Sequence, residues 1–115
     1  MKSVLVIIQE GPFNTTQSGE GFRMSMGLTL SENEVSLLLM GDGVWNLLPL
    51  QSEAIGRPSI QTYLEYFPKV GLHLWAEAEA LTERGIEAVP KGAGIISRQE
   101  ALSLIAASEV VIPFR

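Results

Sequence analysis

Short apolar runs recur along the chain at Val4 to Ile8, Val35 to Met40, Leu72 to Trp75, Ile86 to Val89 and Val110 to Phe114, most of them closed by glycine or proline. Runs of this length bounded by turn residues read as β-strands. The first two are apolar without alternation, as expected of strands buried on both faces, and the intervening segments are long enough for crossover helices. The pattern therefore predicts an α/β fold with five parallel strands. Pro113 lies inside the last run. Proline has no N–H to give to a ladder, so this strand belongs at a sheet edge or ends there.

The connecting segments carry helix signals of different kinds. Ser97-x-x-Glu100 is a capping box, in which the serine oxygen and the glutamate carboxylate each accept from the other's backbone amide. It predicts a helix from Arg98 to about Ala107, with Ala101, Leu102, Ile105 and Ala106 on one apolar face. Ile60, Tyr63, Leu64 and Phe67 mark a second helix, stopped by Pro68, and Glu77 to Arg84 a third, closed by Gly85. In the first crossover Phe22, Met24, Met26, Leu28 and Leu30 alternate with Arg23, Ser25, Gly27 and Thr29, which locally is a strand pattern. A parallel sheet needs a crossover here, so residues 22–30 are assigned to a helix. Met24 and Leu28 then form a second apolar face, expected at a subunit interface.

Composition narrows the function. With 115 residues and 46% apolar content the chain is expected to form one domain, residues 1–115. Mean hydropathy of +0.22 with 18% charged residues exceeds the need of a solvated monomer, so an oligomer is expected. Eight basic against thirteen acidic residues give a net charge of −5 without any basic run, which argues against nucleic acid as a partner. The chain has no cysteine and one histidine. Disulfides, thiolate nucleophiles and soft metal ligands are thereby excluded, and neither a metal nor a cofactor is expected. No apolar stretch approaches the roughly 20 residues of a membrane span, and Val4 to Ile8 is too short for a secretory segment. A cytoplasmic protein with no membrane partner is the expectation.

In a parallel sheet, ligands bind beyond the carboxyl ends of the strands, here the loops at 9–19, 41–43, 76–77 and 90–97. Ligand-binding candidates in them are Gly11, Asp42, Gly43, Glu77, Gly92 and Gly94. Glycines there admit backbone amides to an anion, but they also serve ordinary tight turns, and the first loop lacks the lysine and hydroxyl of a P-loop. Asp42 reads as a base, a ligand contact or a helix N-cap. Glu77 and Glu79 open a helix, where its dipole favours carboxylates. His73 shares a strand face with Trp75 and reads as a proton shuttle or a packed, hydrogen-bonded side chain. Trp45, like Met24 and Leu28, is an interface candidate, although a tryptophan beside Leu47 and Leu48 is also good core material. No catalytic triad and no GxSxG elbow is present, so the reading leans away from an enzyme.

Several segments together resemble the DsrE/DsrF-like sulfur-relay family (DsrEFH and TusBCD), most closely its cysteine-free DsrF and TusC branch. They are VLVIIQEGPFNTTQSGEGFRMSMGL, LLLMGDGVWNLLP, LWAEAEALTERGIE and SRQEALSLIAASEVVIPF. The resemblance implies a three-layer α/β/α sandwich with strand order 4-3-2-1-5, which makes the Pro113 strand an edge. It also implies assembly, as a homo-oligomer or with a cysteine-bearing DsrE-type partner. Relatives of the DsrE and TusD branch carry persulfide on a cysteine near the end of the third strand. Counting back from Gly85 puts that position at Glu77, or at Ala76 if the register slips by one. The implied role is that of a non-catalytic subunit in intracellular sulfur transfer; the alternative is a homo-oligomer binding a small molecule or anion at the strand-end loops.

Overall fold

The computed structural model describes residues 2–9, 27, 33–47, 67, 69, 71–87, 89 and 92–114. Five parallel strands form one sheet: β1 (Ser3–Ile8), β2 (Glu34–Leu39), β3 (His73–Glu77), β4 (Ala93–Ile96) and β5 (Val110–Phe114). Their order is β4-β3-β2-β1-β5, which is the order the resemblance implies and puts Pro113 on an edge strand. Val4 pairs with Val35 on one side and Val110 on the other, and the register continues to Ile8, which pairs with Leu39 and Phe114.

The sheet is covered on both faces because its central strands β1 and β2 carry apolar side chains on both. Val4, Val6 and Ile8 of β1, with Val35, Leu37 and Leu39 of β2, enter one cluster that includes Ala80 and Leu81 of α1 (Ala78–Glu83) and Val44 and Leu47 of a 3-10 helix (Gly41–Leu47). Leu5, Ile7 and Leu38 point the other way and meet Ala101, Leu104 and Ile105 of α2 (Arg98–Ala107). The period of two along each strand thus sorts one apolar run into two cores.

Two expectations about local structure are corrected. In the run Ile86 to Val89 the described residues Ile86, Glu87 and Val89 are not in a strand; the fourth strand begins at Ala93. Ile86 belongs instead to the end of α1. Gly85 has φ +66, its N–H donates to Thr82 O at 3.2 Å, and the Ile86 N–H donates to Leu81 O at 2.9 Å, which together make a Schellman motif. The apolar residue after the glycine is buried there as the helix stop. The inward face of α2 is also shifted: Ala101, Leu104 and Ile105 pack on the sheet, whereas Leu102 is 57% exposed and Ala106 is exposed. Of the 22–30 crossover only Gly27 is described, in helical conformation and exposed, so Met24 and Leu28 lie outside the described residues. The same holds for most of the helix expected around residues 60–67, where Phe67 alone is described and is buried in the core.

The capping box is formed as expected, with Glu100 N donating to Ser97 Oγ and Ser97 N donating to Glu100 Oε1, both at 3.0 Å. The Ser97 amide holds the Glu100 carboxyl below its ordinary range. A carboxyl lowered in the folded state stabilises it above the pKa of the unfolded chain, and that contribution disappears as pH falls through the lower, folded value. Glu100→Gln is therefore expected to be less stable than the parent at neutral pH, with the difference closing in acid. Urea midpoints compared at several pH values measure this directly.

Candidate functional site

Beyond the carboxyl ends of β2 and β3 six charged side chains gather among the described residues. β3 runs two residues further than its apolar pattern, so Ala76 pairs with Leu39 and Glu77 with Ile96 inside the sheet. Glu77 occupies the N-cap position of α1 but makes no side-chain cap there. Its side chain turns under the surface and the residue is 1% exposed, the one buried charged residue among those described.

A buried carboxylate needs donors, because an unpaired charge away from water is costly. Two elements distant in sequence supply them. The Gly41 N–H, at the end of β2, donates to Glu77 Oε1 at 3.1 Å. Arg98, the first residue of α2, donates from Nε to Glu77 Oε2. The Arg98 guanidinium is itself raised above its ordinary pKa, first by this hydrogen bond and then by the Glu77 charge. Around the pair, Glu79 accepts from the Arg98 backbone N–H at 2.8 Å and so caps the start of α2. Glu83 accepts from Arg98 Nη2 at 3.1 Å and lies 3.7 Å from Arg84 Nη1. Arg84 donates from Nε and Nη2 to Asp42 Oδ1 at 3.0 and 2.9 Å, and from Nη1 to Ala80 O at 3.2 Å. An ionic chain therefore runs from Asp42 through Arg84, Glu83 and Arg98 to Glu77.

This arrangement places the sequence candidates as follows. Asp42 lies in the first turn of the 3-10 helix, is exposed, and is paired with Arg84; it is not an N-cap. Gly43 sits where a Cβ would fall 1.9 Å from Ile8 O, so its missing side chain lets the 3-10 helix close against the end of β1. Gly92, with φ +99, makes the turn into β4, and Gly94 is a strand residue, not part of a loop. Gly11 lies outside the described residues. Trp45 is partly buried and packs against the larger core. His73 and Trp75 do share a face and stack, with centroids 6.3 Å apart and planes at 23°, but His73 is exposed, contrary to the expectation of a packed side chain.

Gly94 makes room for that stack. It pairs with Trp75, and a Cβ on it would come within 2.5 Å of the indole. Gly94→Ala is expected to displace the ring and cost about 1 to 3 kcal/mol, the usual range for overpacking. Loss of denaturant stability together with a shifted Trp emission maximum checks it.

Arg84 and Arg98 were not site candidates in the sequence, and they hold the cluster together. The available signal was the glutamate at the end of an apolar strand, which, once buried, demands a cation. Chemically the cluster is closed: among the described residues no group of three His, Cys, Asp or Glu is placed to hold a metal, and no buried side-chain N or O lacks a partner. A carboxylate at position 77 is far less nucleophilic and polarisable than a thiolate and holds no sulfur.

Three comparisons bear on what the chain is. The profile of the DsrE/DsrF-like family matches residues 2–114. Among solved structures, the ychN protein from E. coli superposes with a TM-score of 0.81 at 20% identity, covering 99% of this chain and 100% of that one. A conserved protein of unknown function, BT1422 from Bacteroides thetaiotaomicron, has a TM-score of 0.70 at 12% identity, covering 96% and 94%. At these identities the two structures establish the fold. A comparison with curated proteins returns no significant match.

Proposed function

We propose that this chain, which belongs to the DsrE/DsrF-like family, is a non-catalytic subunit that supports sulfur transfer by a cysteine-bearing partner. The observation that carries this reading is Glu77: at the strand end where relatives of the DsrE branch carry persulfide, this chain has a buried carboxylate tied to Gly41 and Arg98. The neighbouring position, Ala76, is fully buried and equally unable to hold sulfur. The cysteine-free DsrF and TusC branch is the best counterpart within the family.

Two further features support an assembly role over binding of a free metabolite. Asp42, Gly43 and Gly94 each have a structural partner that accounts for them, in Arg84, the end of β1 and Trp75. Ile95 and Leu102, 53% and 57% exposed, give β4 and α2 apolar side chains in solvent. Such side chains suit burial against another subunit.

Isolation from the native cell tests the proposal. A DsrE-type protein with a cysteine at the end of its third strand is expected to co-purify in fixed ratio, identified by mass spectrometry. Purification as a lone homo-oligomer with a bound metabolite overturns it.

A further inference from the structure

We propose that the Gly41 N–H and the Arg98 guanidinium form a receptor for a small anion, and that the Glu77 carboxylate is its built-in occupant. The inference deepens the preceding one and rests on it for the identity of position 77 as the family's sulfur position. The receptor itself is argued from geometry.

One wall is a backbone donor at the end of β2. Gly41 has φ +53, a left-handed conformation that glycine adopts freely, and its N–H points at Glu77 Oε1. The other wall is a cation whose position is fixed independently of Glu77. The Arg98 backbone N–H is held by Glu79, its Nη2 by Glu83, and its helix start by the Ser97–Glu100 box. The two donors address different oxygens of one carboxylate. A backbone amide and a guanidinium converging on a buried point are a general anion-binding arrangement, indifferent to whether the anion arrives on the chain or from solution. The ligand class is therefore a small monovalent anion, a carboxylate or a sulfur anion of similar size. In the native chain the glutamate occupies the receptor permanently and keeps it closed to both.

Glu77→Ala opens it. The substitution removes a CH2–COO− unit, so acetate is the matching probe. In Glu77→Ala, acetate is expected to raise the melting temperature by roughly 4 °C at about ten times its dissociation constant, relative to chloride at equal ionic strength. The native protein and Glu77→Ala/Arg98→Met are expected to show no such difference. Equal effects of acetate and chloride on folded Glu77→Ala overturn the proposal.

Glu77→Cys gives a second readout that does not depend on the alanine variant folding. The Arg98 charge lies close enough to favour a thiolate at this position, so adding Arg98→Met to Glu77→Cys is expected to raise the pKa of the thiol. A thiol pKa in Glu77→Cys that Arg98→Met leaves unmoved overturns the receptor. Failure here leaves co-purification with a sulfur-carrying partner untouched, and failure of co-purification leaves the receptor intact.

Discussion

Gly43→Ala is expected to destabilise the protein by about 3 kcal/mol or more, because the added methyl has nowhere to go. Its Cβ would lie 1.9 Å from Ile8 O, 2.7 Å from Ile8 C and 3.3 Å from Gln9 N. All three atoms are backbone, so no side chain can rotate away. Relief would require the 3-10 helix to lift from β1. That movement is opposed by the Met40 N–H bonded to Ile8 O at 3.1 Å, by the Gly43 N–H bonded to Met40 O at 2.8 Å, and by Val44 and Leu47, both fully buried. Gly41 lies on the same turn, so the strain would reach its N–H and the carboxylate that N–H holds. Chemical denaturation compares Gly43→Ala with Gly71→Ala, where a Cβ meets nothing within 4 Å although φ is +75. The control carries only the left-handed backbone penalty, about 1 kcal/mol. If the two variants lose the same stability, the close approach at Gly43 has no energetic weight.

The fold was legible wherever its signal was local. β1, β2 and β5 announce themselves by short apolar runs, at Val4 to Ile8, at Val35 to Leu39 broken only by Ser36, and at Val110 to Ile112. The capping box at Ser97 and the helix stop at Gly85 were equally plain, each being complete within four or five residues. β4 was not legible. Its sequence, AGII, starts with residues that are depleted in strands, and its glycine is needed to accommodate the Trp75 indole on the next strand. The competing run at Ile86 looked more strand-like because the hydrophobic contact of a Schellman motif imitates a strand's first residue. A pairwise constraint between strands cannot be read from either one alone.

The site divides in the same way. Asp42, Gly43 and Glu77 stood out as residue types at strand ends. What each does there depended on partners far along the chain: Arg84 is 42 residues from Asp42, and Gly41 and Arg98 are 36 and 21 residues from Glu77. The helix dipole explained Glu77 adequately in sequence terms, and only burial separated it from Glu79, which lies in the first turn of α1 as expected and also accepts from the first amide of α2.

The strongest consequence of that burial is an asymmetry between the two ends of the Glu77–Arg98 pair. Glu77→Met is expected to cost about 2 kcal/mol, from the loss of a charged acceptor and an unpaired, part-buried Gly41 N–H. The arginine it abandons is 48% exposed at its side chain, so water reaches it where it stands, and its bond to Glu83 remains. Arg98→Met is expected to cost more, because it leaves a carboxylate that is 2% exposed at its side chain with, among the described residues, one neutral donor at Gly41. Converting Glu77 to methionine in that background should then restore part of the loss, so that Glu77→Met/Arg98→Met is more stable than Arg98→Met alone. Apolar replacement of both members removes the unpaired charge together with the pair, whereas replacement of the arginine removes only its compensation. A double-mutant cycle in urea reads the sign. A double variant less stable than Arg98→Met would mean that Glu77 without its arginine still stabilises the fold, and that the desolvation of this carboxylate is not what Arg98 offsets.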